Sequence, residues 1–294
     1  MPETTLRGAR VYRSEAAERT VREWCRGRLD EYPGLSGVSD ITSAIGLTRA
    51  VRLAGGSGTP VVFLSGTNFN SALSAGSASV MCPDREVVLV DLPGQPGLSC
   101  GLRPKAHRAA AYGAWFEEVL PKLVDRPVIV LGHSLGAAVA LASKPSPLVR
   151  GMVLIGPAGL TGAAMSSELM RVTLPWMIGP GDDKSTRLLN FMSGPGFQHP
   201  VHPYAGWMTM VGKYCRTSLA PGPLPVESLL PWQKQNVTVA TGSDDVFFSS
   251  ARLHGPARRF LDTDVHVLEG CGHLAPYESP DKVAELVRRA EAVE

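Results

Sequence analysis

Ser134 stands in Gly132-His133-Ser134-Leu135-Gly136, a G-x-S-x-G pattern directly after the apolar run Val128-Ile129-Val130-Leu131. β-Branched residues lead in, and small helix-compatible residues (Ala137, Ala138, Ala140, Ala142) lead out. That context predicts a strand, a sharp turn and a helix, with the serine thrust up at the strand's end. The glycines let strand and helix approach closely around a strained turn. The helix that follows directs backbone N–H groups and a partial positive charge toward the same point. The chemistry such a residue can do is nucleophilic attack by its hydroxyl. A plain small-residue turn between any strand and helix shares the pattern, so the decision rests on the rest of the chain.

A serine hydroxyl is a weak nucleophile near neutral pH; it needs a base, and the base needs an orienting group. His133, inside the pattern, is expected to point away from the serine as a packing residue. His266 falls within an apolar run, and His107, His199, His202 and His254 fall on helices or loops with no strand end beside them. His273, in Glu269-Gly270-Cys271-Gly272-His273-Leu274, follows the last apolar run immediately. It therefore sits at the carboxyl end of a sheet, where parallel α/β proteins place their sites, and is the expected base. For the acid, Val237-Thr238-Val239-Ala240-Thr241 runs into Gly242-Ser243-Asp244-Asp245, and both aspartates qualify by position. The run ending Ile155-Gly156-Pro157 carries no carboxylate.

Holding these residues together takes a sheet. Pro60 to Leu64, Val87 to Val90, Val128 to Leu131, Met152 to Ile155, Val237 to Ala240 and Val265 to Leu268 are short and mostly continuously apolar. Such runs fit parallel strands covered on both faces. Helical patterns separate them. His107 to Val124 places Ala110, Ala114, Val119 and Leu123 close to helical spacing. At the C-terminus Ser279 is a good cap, Pro280 takes the first helical position, and Val283, Leu286, Val287 and Ala290 make one apolar face. Alternating strands and helices predict a parallel α/β sheet with right-handed crossovers.

Two regions break the rhythm. Residues 1–40 carry a helical pattern from Glu15 to Leu29 and a turn-rich stretch at Tyr32-Pro33-Gly34, read as an N-terminal helical extension. Residues 158–231 lie between two core strands, contain no convincing strand, and hold six of the nine methionines together with Trp176 and Trp207. An insertion of this kind reads as a helical lid over a core of residues 41–157 and 232–294. Its soft apolar side chains suit an adaptable pocket wall, with Trp176, Met177, Trp207 and Met208 as candidate substrate contacts. Ordinary helical core is the alternative for any one of them.

A net charge of +2 with mixed signs along the chain gives no footprint for a nucleic acid or an anionic membrane. No apolar stretch approaches the roughly 20 residues of a membrane helix. Met1-Pro2-Glu3-Thr4-Thr5 has no apolar signal core. Five scattered cysteines without C-x-x-C spacing read as free thiols in a reducing cytoplasm. Metal-ligand spacing and phosphate-cradling glycine motifs are both missing, so the expected chemistry needs no metal and no cofactor. Oligomeric state leaves no mark in the sequence.

Taken together these motifs resemble the α/β-hydrolase-fold serine hydrolases, over roughly residues 60–157 and 232–294. Gly132 to Gly136 resembles the family's nucleophile elbow, and Gly270-Cys271-Gly272-His273-Leu274 followed by Glu278-Ser279-Pro280 resembles its histidine loop. In the acid loop a glycine is followed three residues later by the acid, and in Gly242-Ser243-Asp244-Asp245 that register selects Asp245. Asp91 to Ser99 resembles the Asp-x-x-Gly-x-Gly-x-Ser loop with one residue of difference. The resemblance implies a mostly parallel sheet flanked by helices and a Ser134–His273–Asp245 triad acting on a small apolar ester or thioester. The family's His-Gly after the third strand is here Ser65-Gly66. The Thr67 and Leu135 amides are then the expected oxyanion donors, with the Asn68 side chain as an alternative to the first. The same triad supports acyl transfer, cyclisation, lactone opening or C–C bond hydrolysis, the fold also supports cofactor-free lyase or peroxidase chemistry, and the remaining rival is a non-catalytic binding protein.

Overall fold

The computed structural model describes residues 8–104, 107–218 and 221–292; Met1–Thr5 lie outside these. The chain opens with β1 (Gly8–Arg10), α1 (Glu15–Asp30) and a hairpin of β2 (Leu35–Ser43) and β3 (Gly46–Ser57). Strands and helices then alternate through β4 (Val61–Leu64), α2 (Ser71–Met81), β5 (Arg85–Val90), β6 (Leu102–Pro104), α3 (Arg108–Leu123), β7 (Val128–His133), α4 (Leu135–Ala142) and β8 (Val149–Ile155). After an intervening segment come β9 (Val237–Gly242), α9 (Ser250–Leu261), β10 (Val265–Leu268), α10 (Ala275–Glu278) and α11 (Pro280–Ala292).

All six apolar runs are strands of one eight-stranded sheet, in the order β10-β9-β8-β7-β4-β5-β3-β2. The pairings from β10 to β5 are parallel, while β3 runs antiparallel to both β5 and β2. Successive side chains of a strand point to opposite faces, so one run feeds two cores. Val61, Phe63, Ile129, Leu131, Val153 and Ile155 pack with α1, α2 and α11 on one face. Val62, Leu64, Val128, Val130, Met152 and Leu154 pack with α3, α4 and α9 on the other. Each such side chain contributes about 1.5–3 kcal/mol on burial, which is why these runs contain almost no polar residue.

The hairpin was not expected, and the sheet begins at Leu35, inside the stretch read as a helical extension. The reason is physical: β2 is an edge strand that alternates between exposed and partly buried positions, so Ser36, Ser39, Asp40 and Thr42 are tolerated and the apolar signal is weak. The helix of that stretch does form. Ser14 caps α1 by accepting the Ala17 N–H at 3.1 Å, with Glu15 and Glu18 in the first turn.

Between β8 and β9 the chain forms α5 (Ser167–Ile178), α6 (Asp182–Met192), α7 (Ala205–Tyr214) and α8 (Val226–Leu229). Among its described residues there is no strand, only an isolated bridge from Cys215 to Tyr12. The α7 helix rests on α1 through Trp207 and Trp24, whose ring centroids are 4.7 Å apart.

Candidate active site

Ser134, Asp245 and His273 come from three loops that leave the carboxyl ends of β7, β9 and β10. Along the sheet edge the loops follow in spatial order: His273 after β10, Asp245 after β9, Gly156 after β8, Ser134 after β7, Thr67 after β4 and Gln95 after β5. Residues scattered over the sequence are thus neighbours in space, as expected where parallel strands end together.

Ser134 has φ 50° and ψ −109°, a strained conformation for a residue with a side chain. The surrounding structure enforces it. The Ser134 N–H donates to Ile155 O at 3.0 Å, and the Ser134 carbonyl accepts from both Ala138 and Ala158 N–H. Gly136 sits so close to β4 that a Cβ there would run into the Leu64 carbonyl, and a Cβ at Gly132 would lie 2.7 Å from Ala137 Cα. These elbow glycines serve close approach of strand and helix.

His273 Nδ1 lies 2.9 Å from Asp245 Oδ2, with both groups buried. Asp245 is fully engaged: Oδ1 accepts the Phe247 and Phe248 amides at 2.8 and 2.9 Å, and Oδ2 also accepts the Thr241 hydroxyl at 3.1 Å. Burial alone would push this carboxyl up; His273 and the two amides more than offset that and hold it below its ordinary range. Asp244 takes no part, since its exposed carboxylate accepts from Ser243 Oγ at 2.7 Å. The His273 ring is flanked by Phe247 and Phe248 at centroid distances of 4.8 and 5.7 Å.

This arrangement is carried by a chain that, over residues 55–286, matches the family model described as the alpha/beta hydrolase family. The chain belongs to the alpha/beta hydrolase family. An uncharacterized protein of Mycobacterium tuberculosis is 24% identical over 272 residues, which is 83% of this chain and 78% of that protein. Naproxen esterase (carboxylesterase NP) from Bacillus subtilis superposes with a TM-score of 0.71 at 19% identity, over 93% of this chain and 96% of its own. An N-acyl homoserine lactonase complexed with N-butanoyl homoserine gives 0.64 at 16% identity, over 88% and 99% respectively. At such identities the likeness to the solved structures is one of fold. The family and these neighbours together support a hydrolase.

In this alpha/beta hydrolase the turn after β4 lies directly over the serine. A Cβ on Gly66 would come within 3.3 Å of Ser134 Cβ and 2.8 Å of His133 Nδ1. Helix α4 begins at Leu135, so the Leu135 N–H has no carbonyl one turn back inside its own helix. In the turn Gly66-Thr67-Asn68-Phe69, Phe69 N–H bonds Gly66 O and Asn68 N–H bonds Gln95 Oε1; the Thr67 N–H is used in neither bond.

The four candidate contacts of the intervening segment separate. Trp207 reaches the site, donating from Nε1 to Asn68 O at 2.8 Å. Trp176 is buried one helix away and donates to Met208 O at 3.1 Å, with Met208 buried beside it. Met177 lies on the outer face of α5, 55% exposed.

Three supporting residues escaped the sequence reading. His133 packs in the interior as expected, but it also holds the histidine loop: its Nε2 donates to the His273 carbonyl at 2.8 Å. Burial first, and the neighbouring His273 second, lower its pKa to about 3, so it is neutral at all ordinary pH. Glu278 accepts the Gly272 and Gly194 amides through one oxygen, both at 2.8 Å, and so ties the histidine loop to the chain just after α6. Gln95, buried in the Asp91–Ser99 loop, holds the Gly66–Phe69 turn through the Asn68 N–H. The Glu278 position was visible in the motif quoted above, while the contacts of His133 and Gln95 have no local signature.

Proposed function

We propose that this protein is a cofactor-independent serine hydrolase that cleaves a carboxylic ester or thioester through an acyl-serine intermediate. The observation that carries this reading is the buried Asp245–His273 pair at the same carboxyl end of the sheet as a serine held in a strained elbow. His273 Nε2 takes the Ser134 proton as Oγ bonds to the substrate carbonyl carbon, and the carbonyl electron pair moves onto its oxygen. The Thr67 and Leu135 N–H groups receive that oxyanion, each well-placed donor contributing about 3 kcal/mol to the transition state. Collapse breaks the bond to the alkoxide or thiolate, which leaves with the proton from His273. Water, deprotonated by His273, then attacks the acyl-serine, and collapse returns the proton to Ser134 and releases the acid. Throughout, Asp245 accepts from Nδ1–H and keeps the imidazole in the tautomer whose Nε2 is free to act as base.

The segment of residues 158–231 acts in this reading as a helical lid, with Trp207, Trp176 and Met208 backing an apolar pocket. Among the described residues no helix is long and apolar enough to cross a membrane. Five free thiols fit a reducing compartment, the cytoplasm. The test is a panel of p-nitrophenyl esters, thioesters and lactones, with trapping of the acyl-enzyme by mass spectrometry. A fluorophosphonate should label Ser134 alone, and Ser134→Ala should lose about 10⁴-fold or more in turnover, because triad members act as a unit. Labelling of a different serine, or an active alanine variant, removes this mechanism.

A further inference from the structure

The turn carrying the proposed oxyanion donor is gripped from two sides by side chains that are distant in sequence. Gly66-Thr67-Asn68-Phe69 is closed by the Phe69 N–H to Gly66 O bond at 3.1 Å. Asn68 has φ 66°, while Thr67 has no positive φ. A turn closed in this way with a left-handed residue only at its third position is type II, and it differs from type I by a flip of the peptide joining the two central residues. Here that peptide joins Thr67 to Asn68. Its N–H, that of Asn68, donates to Gln95 Oε1 at 3.1 Å. The next carbonyl, Asn68 O, accepts from Trp207 Nε1 at 2.8 Å. Gln95, Trp207 and Asn68 are all buried, so no water is at hand to replace either bond.

We propose that Gln95 and Trp207 are positioning residues that hold this turn in place over Ser134 and thereby keep the Thr67 N–H aimed at the oxyanion; the inference rests on the serine-hydrolase reading above. The Gln95 bond explains why a residue other than glycine holds the left-handed position: it matches the Asn68 N–H, which the type I turn would point elsewhere, while the Trp207 bond anchors the following peptide, whose N–H closes the turn on Gly66 O. They also connect three layers of the molecule. Trp207 belongs to α7 and lies against Trp24 of α1 with centroids 4.7 Å apart, so α1 backs α7 and α7 holds the turn over Ser134. The segment between β8 and β9 is then part of the oxyanion hole, and the hole is complete only while α7 is seated.

The test uses Trp207→Phe, which keeps a ring against Trp24 but removes the N–H, and Gln95→Met, which keeps the volume but removes the acceptor. Gln95→Glu, which keeps an acceptor oxygen, is the rescue. Hydrolysis of a p-nitrophenyl ester gives kcat and KM, and a trifluoromethyl ketone, whose adduct with Ser134 places an oxyanion in the hole, gives an affinity for the transition-state geometry. We expect Trp207→Phe and Gln95→Met each to lower kcat about tenfold with KM within about twofold, ketone affinity falling in step, and Gln95→Glu to recover most of the loss. If Trp207→Phe does not fold, Gln95→Met against Gln95→Glu decides alone. Folded variants with wild-type kcat and ketone affinity would overturn the clamp, as would a raised KM with unchanged kcat, which marks Trp207 as pocket wall only. Failure of a fluorophosphonate to label Ser134 in the wild-type protein would instead remove the underlying hydrolase reading and the clamp with it.

Discussion

Asp245 and His273 meet at 2.9 Å through Oδ2 and Nδ1, while the adjacent Asp244 turns outward onto Ser243 Oγ. Neighbouring residues at a strand end point in different directions, so one strand end presents one carboxylate to the imidazole. Asp245→Asn is therefore expected to lower kcat by about 10⁴-fold through the wrong imidazole tautomer, whereas Asp244→Asn lowers it about tenfold at most. Circular dichroism of both variants with steady-state rates checks this, and the reverse ranking would assign the role to Asp244. Because the Asp245 carboxyl sits below its ordinary range, it stays ionised as pH falls through the mildly acidic region. The acid limb of kcat/KM should accordingly carry no second step from Asp245 and fall with a slope near one.

His133 gives a pH dependence of stability whose sign is set by burial. Its folded pKa of about 3 lies below the ordinary 6.5, so the unfolded chain takes up a proton that the folded chain refuses. Stability is complete above 6.5 and is lost progressively as pH falls toward 3. Between about pH 7.5 and about pH 5 the wild type should lose about 2 kcal/mol more than His133→Gln, which carries no titrating ring. Urea unfolding at the two pH values measures the difference, and parallel losses in both proteins would contradict it.

Glu278 holds two amides with one oxygen, and Gly272 is the residue before His273. Glu278→Ala leaves both N–H groups without an acceptor and should destabilise the fold by about 2–4 kcal/mol. Burial pushes this carboxyl's pKa up, so the fold disfavours its charge and not its oxygen. Glu278→Gln, which keeps an oxygen for the amides, should lose less than about 1 kcal/mol. Thermal unfolding of the pair decides, and equal losses would mean that the charge, not the acceptor, holds the loop.

Gly156 has φ +49°, and a Cβ there would stand 2.8 Å from Asp245 Oδ2 and 3.1 Å from His273 Nδ1. Gly156→Ala should push the acid–base pair apart and lower kcat at least about tenfold, since a displacement near 1 Å can be worth a hundredfold. Activity of the folded variant at the wild-type level would show that the pair can shift without harm.

What was legible from the sequence is what local patterning encodes. The five inner strands β4, β5, β7, β8 and β9 had to be apolar on both faces and so stand out as runs, while β10, at the sheet edge, still shows Val265, Val267 and Leu268. Helix α11 announced itself through Ser279 and Pro280 at its start and one apolar face. Ser134, His273 and the pair Asp244 and Asp245 stood out as candidates because each follows a strand, and parallel strands end on one edge. Choosing Asp245 over Asp244 took the family's register, for alternation along the chain does not say which neighbour faces the imidazole.

Tertiary structure alone decided the rest. The β2–β3 hairpin carries little apolar signal because an edge strand buries only part of its surface. His133 and His273 are 140 residues apart, Trp207 and Asn68 are 139 apart, and Gln95 reaches Asn68 across 27. Each contact joins a side chain to a backbone group, and every residue offers the same backbone N–H and C=O. The sequence therefore determined which groups could do chemistry and on which strand ends they stand; which backbone groups hold them in place followed only from how the strands order themselves and how α7 packs on α1.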